Sequence, residues 1–434
     1  MVAAIVALHG ALPSWFALRM MVEDWWKGFR QIFPTRSDMA VAIAAVKHPV
    51  TAAWLFAQMR GVPFGLGTAV NQFGRMAALQ TAIARRILYF VLGHYADDTA
   101  AVDGERSASG AQDHVQRLAV VLGIKLSDTK RKPAAAMRDF LGHEHDLSRI
   151  RSDGYLGYGP KLGMREKFVE EIHDIRQTQY LPSGRASKVR GTATWIDTGL
   201  EGRVCRGALT ALIARQYYED SEDVPPGSNI DHCLAFLAAA AAHQSVRAIP
   251  LKIRARRPVL VYTDASAEKG KVRIGAMVIA PGARTEIVVY DPPQKVVDAW
   301  GTGDTIINQA ELHAAPIVAC TMPHLLRQAD VIWFIDNSAA EAALVKAGSP
   351  TQTMCTLALV ATAALASLKV RPWFEHIPSE DNPADVLSRG GLEDAAVAEA
   401  VRSGEFLVRE PVEPPTEAVL NYEFWWQQAS DVDE

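Results

Sequence analysis

Four acidic residues in the last third of the chain have the types and spacing to hold divalent metal ions. Asp264 closes an apolar run, Val259-Leu260-Val261-Tyr262-Thr263. Glu311 lies in Gln-Ala-Glu-Leu-His-Ala, Asp336 follows the apolar Val331 to Ile335, and Asp385 sits in Asn-Pro-Ala-Asp-Val-Leu-Ser-Arg. A carboxylate at the end of a central strand projects from the sheet edge into a cleft. Asp264 and Asp336 take such places, Glu311 approaches from a helix, and Asp385 opens a final helix and closes the site. Four oxygen donors suit hard Mg²⁺ or Mn²⁺ rather than zinc. Two such ions, roughly 3.5–4 Å apart, activate a water and stabilise the leaving oxygen of a phosphodiester. A second acidic signature, His94-Tyr95-Ala96-Asp97-Asp98, also ends an apolar run. Nucleotidyl transfer needs carboxylates from two separate elements, and Asp24, after Met20-Met21-Val22, is the natural partner for Asp97 and Asp98.

The elements that must position these acids read as follows. Between residues 255 and 392 the pattern predicts strands over 259–263, 274–279, 285–290, 331–335 and 370–377. Helices are expected over 307–326, 339–346, 351–368 and 383–388, with Pro316 and Pro323 kinking or ending the first. That order gives a mixed five-stranded sheet with flanking helices. Near the N-terminus, β-formers over 87–92 and Thr99-Ala100-Ala101-Val102 predict a hairpin with Asp97 and Asp98 at its turn. Apolar runs over 41–46 and helices over 77–86 and 112–122 surround it. The middle segment offers helices over 166–177, 207–218 and 231–243, with Pro225-Pro226-Gly227 as a linker. The fold class expected is α/β (α+β). The boundaries expected are 1–146, 147–254, 255–392 and a tail of 393–434, in which Phe424-Trp425-Trp426 is an anchor or a partner-binding stub.

Bulk properties narrow the partners. The chain has 434 residues and a formal net charge of −4, so nucleic-acid binding must come from local patches. Arg117 to Arg190 supplies one, with 15 Lys/Arg against 9 Asp/Glu, and residues 252–257 another. The four cysteines are far apart with no CxxC spacing, which fits a reducing, intracellular setting (cytoplasm or nucleus) without zinc or a disulfide framework. The apolar N-terminus lacks a basic n-region and is interrupted by His9 and Pro13, so it reads as a buried strand or helix rather than a secretory leader. No apolar run is long enough to cross a membrane.

Residues 259–389 resemble the ribonuclease H domain of retroelement polymerases: YTDAS, QAELHA, IDNSAA and HIPSEDNPADVLSR match its four stations in order. The resemblance implies Asp264, Glu311, Asp336 and Asp385 as ligands of two Mg²⁺ (or Mn²⁺), and His376 as a mobile aid to proton transfer or product release. His376 also reads as the structural end of a strand, and Asn382 as a helix cap. DWWKGFRQI and YADD resemble the aspartate motifs of reverse transcriptases. GVPFGLGTAVNQF resembles the template and nucleotide loop of gypsy-like and DIRS-like retrotransposons, and LGIKLSDTKRK with DFLGHEH the later palm motifs.

That resemblance implies Asp24 and Asp97 as metal ligands with Asp98 in support. It also implies Phe29 as the gate against a ribose 2′-OH, Gly65 as the point of close backbone approach, and Lys130 as a phosphate contact. Trp25, Trp26 and Phe29 have packing readings as well. LPSGRASKVRG and GRVCRGALTALIARQYY resemble the thumb and connection. Only 23 residues precede Asp24, where these enzymes place their fingers, so the resemblance implies an N-terminally truncated palm. The expected activity is RNA-directed DNA polymerase with ribonuclease H, acting on RNA template, DNA primer, RNA–DNA hybrid and dNTPs. The alternatives are a ribonuclease H with an inactive, fingerless palm, or a decayed, non-catalytic nucleic-acid-binding remnant.

Overall fold

Strand β1 (Leu18–Asp24) is buried almost end to end, which fits the unbroken apolar Met20-Met21-Val22 at its centre rather than an alternation, although Glu23 and Asp24 are buried with it. The computed structural model of the chain describes all residues except 1, 12–16, 34, 63–68, 252–256, 269–270, 302–305, 416–420 and 431–434. They divide into two compact units, Met1–Tyr158 with Ala248–Ile253, and Gly159–Arg247 with Arg254–Glu434.

In the first unit, α1 (Val2–Ala11) precedes β1. There follow α2 (Arg36–Met39), the hairpin β2 (Ile43–Lys47) and β3 (Trp54–Gln58), and α3 (Ala69–Arg86). Next come β4 (Val91–Tyr95), β5 (Asp98–Gly104), α4 (Ala108–Val121) and β6 (Lys132–Ala135). One sheet has the order β4-β5-β1-β6. Met20, Val22, Ala100 and Val102 pack on one face with Ile5, Phe140 and Leu156. Met21, Leu92 and Ala101 pack on the other with Ala84, Val115 and Leu118. A second sheet contains β7 (Met137–Phe140), β8 (His143–Asp146), β9 (Tyr155–Pro160) and β10 (Arg247–Pro250), with α5 (Arg149–Asp153) preceding β9.

The strand expected over 87–92 begins later, at Val91. Ile87 and Leu88 donate their N–H groups to Ile83 O and prolong the end of α3, and the chain reverses at Tyr89, whose φ is 56°. The apolar run over 41–46 does form a strand, yet the β2–β3 hairpin is mostly exposed, with Trp54 and Phe56 among its uncovered side chains.

The second unit opens with α6 (Leu162–Thr178), α7 (Ser183–Thr198), α8 (Leu209–Tyr217) and α9 (Asn229–His243). Next come β11 (Val259–Glu268), β12 (Lys271–Ile279), β13 (Thr285–Tyr290), α10 (Gln294–Trp300), α11 (Ile306–Thr321) and α12 (Pro323–Leu326). The chain continues through β14 (Asp330–Ile335), α13 (Ser338–Lys346), α14 (Gln352–Ser367), β15 (Arg371–His376) and α15 (Asp385–Arg389). It ends with α16 (Ala395–Ser403), β16 (Phe406–Val408) and α17 (Glu423–Ser430).

The sheet has six strands in the order β15-β14-β11-β12-β13-β16, one more than expected. The extra strand is only Phe-Leu-Val, too short to carry a period, and it exists through its parallel pairing with β13. Helix α7 was also not foreseen. Its two glycines and several hydroxyl residues are poor helix formers. Ala186, Val189, Ala193 and Ile196 nonetheless lie at helical spacing and are all buried. The helix expected over 307–326 divides at Met322, where Pro323 starts α12.

One apolar core joins the helical layer to the sheet. It contains Ile172, Ile196 and Phe236 together with Val261, Leu312, Trp333 and Leu359. The C-terminal aromatics enter the same core. Trp425 and Trp426 are buried, and the Trp426 indole N–H donates to Gln244 Oε1 at 2.7 Å. No helix among the described residues is long and apolar enough to cross a membrane.

Candidate metal centre

β11 is an inner strand of the six-stranded sheet, between β14 and β12. Its parallel partnership with β14 ends at Thr263↔Ile335, so Asp264 and Asp336 are the next residues on two adjacent strands leaving the same edge. Asp264 is not the end of its own strand, as the sequence had it. β11 continues antiparallel to β12, with Asp264 opposite Gly275. The strand outlasts its parallel neighbour because β12 keeps supplying backbone partners as far as Glu268. Glu311 arrives from α11, five residues after its start, and its Oε1 accepts the Ala265 N–H at 2.8 Å.

One ligand atom from each of Asp264, Glu311 and Asp336 lies within 4.8 Å of the others. Among the described residues no other three His, Cys, Asp or Glu side chains meet in this way. Glu311 is 2 % exposed, and its Oε2 is buried with no hydrogen-bond partner. A bare carboxylate oxygen in that position is costly unless a cation or proton meets it. Burial, followed by the charges of Asp264 and Asp336, holds the Glu311 carboxyl well above its usual range. Asp264 is pushed up to about 7, mainly by burial and then by Asp336 and Asp385, against the lowering effect of the Ser388 hydroxyl. An all-carboxylate set with one uncompensated oxygen fits a hard divalent cation.

The fourth predicted ligand, Asp385, stands outside this set of three. Its Oδ1 accepts from Arg389 Nε at 2.7 Å. It is still near enough for its charge to raise Asp264. Helix α15 reaches the site because of Gly275, where a Cβ would lie 2.6 Å from Leu387 Cβ and 2.7 Å from Ser388 N. Only glycine permits that approach.

The sequence reading missed two hydroxyls that orient the acids. Ser388 Oγ donates to Asp264 Oδ2, and Ser379 Oγ donates to Asp336 Oδ2 at 2.5 Å. The signal was the spacing of Ser388 three residues after Asp385, one turn along a helix that opens on the site. His376 is exposed at the end of β15 with its Nε2 3.1 Å from the Asp336 carbonyl oxygen. Asn382 does more than cap. Its amide donates to Thr263 O at 3.0 Å and its Oδ1 accepts the Ala384 N–H, tying the loop before α15 to β11.

In the first unit the predicted acids also approach one another. The β4–β5 hairpin turns at Ala96 and Asp97. Asp98 is directly opposite Asp24 in the β1–β5 pairing, and Trp25 N–H donates to Asp97 O at 3.0 Å. Lys130 Nζ contacts Asp24 Oδ2 at 2.9 Å. Asp98 is raised by burial, then by Asp97 and Asp24. Phe29 is 8 % exposed and stacks on Phe73 at 4.6 Å, within a cluster that includes Trp25. Gly65 and most of the 252–257 basic run lie outside the described residues.

No protein-family model and no curated protein matches the chain. Among solved structures it is similar to the foamy viral protease-reverse transcriptase dRH in complex with double-stranded DNA. The identity is 15 %, the match covers 83 % of this chain and 56 % of that one, and the TM-score is 0.40. The foamy viral protease-reverse transcriptase with double-stranded DNA matches at 15 % identity over 83 % of this chain and 68 % of the other, TM-score 0.40. The same viral protein with an RNA/DNA hybrid matches at 10 % identity over 86 % and 67 %, TM-score 0.40. The chain thus spans little more than half the length of the first of these.

Proposed function

We propose that the second unit is a ribonuclease H-type nuclease that cleaves the RNA strand of an RNA–DNA hybrid with divalent cations. The chain around it is read as part of a retroelement reverse transcriptase. The observation that carries this is the convergence of Asp264, Glu311 and Asp336 around the unpartnered Glu311 Oε2. These three carboxylates would hold the cation, with Asp385 as a fourth ligand once it turns from Arg389. When bound, the cations would supply a lowered pKa for an attacking water and charge compensation for the leaving oxygen. The chain's own contribution is positional. Ser388 and Ser379 fix one oxygen each of Asp264 and Asp336, which would leave the other oxygens available to a cation. His376, exposed beside the Asp336 carbonyl, is in place to pass a proton to bulk water.

A second activity, RNA-directed DNA synthesis, is favoured by the opposed Asp24 and Asp98 with Asp97 at the turn between strands. The domain boundaries at 146, 254 and 392, and the roles of Phe29, Gly65 and Lys130, belong to this proposal. The two activities separate in one assay set. The intact chain should cut hybrid RNA only with Mg²⁺ or Mn²⁺, and Asp264→Asn should not cut it. Equal cleavage by both proteins would remove the nuclease assignment. Primer extension by the intact chain, abolished in Asp97→Asn and retained in Asp264→Asn, is the expectation for the polymerase. No extension by the intact chain leaves a nuclease with an inactive palm.

A further inference from the structure

Two tryptophans follow Asp24, and the structure gives them opposite fates. Trp25 is 1 % exposed and its indole N–H is held by Gln80 Oε1. Trp26 is 41 % exposed. Over its ring stand two ammonium groups, Lys27 Nζ at 4.5 Å and Lys125 Nζ at 4.3 Å from the centroid. Cation–π attraction holds each lysine there. The two charges are therefore less than about 9 Å apart, comparable with the Debye length of about 8 Å at physiological salt, so their repulsion is only partly screened. Among the described residues neither lysine is paired with a carboxylate.

The backbone beneath them is fixed. Lys27 adopts the left-handed conformation, φ 50° and ψ 47°. Trp26 N–H donates to Lys125 O at 2.9 Å. The Gln31 side chain closes the arrangement, donating to Trp26 O and Lys125 O and accepting from the Lys125 N–H. An exposed ring flanked by two cations that no carboxylate among the described residues pairs, on a turn held by backbone and Gln31 hydrogen bonds, presents positive charge to an anion.

The geometry points to Trp26, Lys27 and Lys125 as a phosphate-binding platform beside the Asp24 end of β1. The phosphate has two sources, the backbone of a polynucleotide strand or the tail of a nucleoside triphosphate. Stacked aromatics beside cations are the usual means of gripping single strands. The inference rests on the reading that the chain acts on nucleic acid, and not on its nuclease chemistry.

The test is binding of a fluorescein-labelled RNA–DNA hybrid with a single-stranded overhang, followed by anisotropy in EDTA across a salt series. EDTA prevents cleavage, so loss of the nuclease assignment does not affect the readout. For the full chain carrying Lys27→Gln and Lys125→Gln together, the log–log salt slope should fall by about 1.4–1.8, the loss of two phosphate contacts. Trp26→Ala should lower it partly, and Trp26→Phe should largely restore it. These exposed positions leave the core untouched, and circular dichroism checks the fold. A second arm uses inorganic tripolyphosphate as competitor. Competition in the wild type that weakens in the double variant, with an unchanged salt slope, assigns the platform to the triphosphate instead. An unchanged slope together with unchanged competition overturns it, as does absence of binding to both probes by the wild type.

Discussion

The two acidic clusters of this chain handle the same electrostatic problem in opposite ways. In the second unit, Asp264 and Glu311 are 4 % and 2 % exposed, no lysine or arginine among the described residues forms an ion pair with either, and Glu311 Oε2 is buried without a hydrogen-bond partner. In the first unit, Asp24 is equally buried but carries Lys130 against it. The cluster without a paired cation is held by adjacent strands and two hydroxyls, and its three carboxylates have the arrangement to hold a metal ion. The cluster with a lysine is already partly neutralised before anything binds. A shared residue type therefore does not make the two sites equivalent.

The largest expected effect tests the first half of this contrast. Asp264→Asn should lower Mg²⁺-dependent hybrid cleavage by more than about a hundredfold, beyond what loss of an outer partner costs. Steady-state cleavage with labelled hybrid measures it. Ser388→Ala, which leaves the ligands in place but frees one Asp264 oxygen, should cost about ten- to a hundredfold and raise the Mg²⁺ concentration for half-maximal activity. An unchanged metal requirement would mean the hydroxyl only packs.

The third prediction sets the units against each other in pH. His145 is 3 % exposed and burial lowers it to about 4. The unfolded chain then takes up a proton near 6.5 that the folded chain refuses. The first unit should lose stability as pH falls from about 6.5 towards 4, by about 2 kcal/mol between pH 7 and pH 5. Asp264 has the opposite sign. Its folded carboxyl titrates near 7, and the unfolded one near 4. The metal-free second unit should therefore lose stability as pH rises from about 4 to 7, and Mg²⁺ should restore it at the upper end. Denaturant melts of the full chain, followed with probes in each unit, read both slopes. Parallel slopes would show that the buried groups do not set the pH response.

The smallest effect is that of Lys130→Met. It should cost the first unit about 1 kcal/mol or less, because the lysine is largely exposed and water screens the pair. Chemical denaturation measures it, and a loss of several kcal/mol would mean that Asp24 is far more dependent on this lysine than its exposure implies.

How much of this was legible in the sequence differs by element. The five strands that place Asp264 and Asp336 were readable because each is a run of β-formers of ordinary length, and Glu311 because its helix is continuous and apolar. Other features were set by partners distant in sequence. β16 forms only because β13 offers an open edge, and β11 extends past Asp264 only because β12 pairs with it. The role of Gly275 was invisible for the same reason, since what it admits is the backbone of residues more than a hundred positions later. The exposure of Trp26 beside a buried Trp25 likewise depends on which way a turn faces, and adjacent identical residues carry no sign of that.

The core that runs from Ile172 and Phe236 to Leu359 and Trp426 has a practical side. A fragment cut to begin near residue 255 would leave one flank of α14 facing water, stripped of α9. Such a piece would be prone to clump, and soluble expression of the six-stranded sheet calls for retaining residues 159–247 together with the terminal tryptophans.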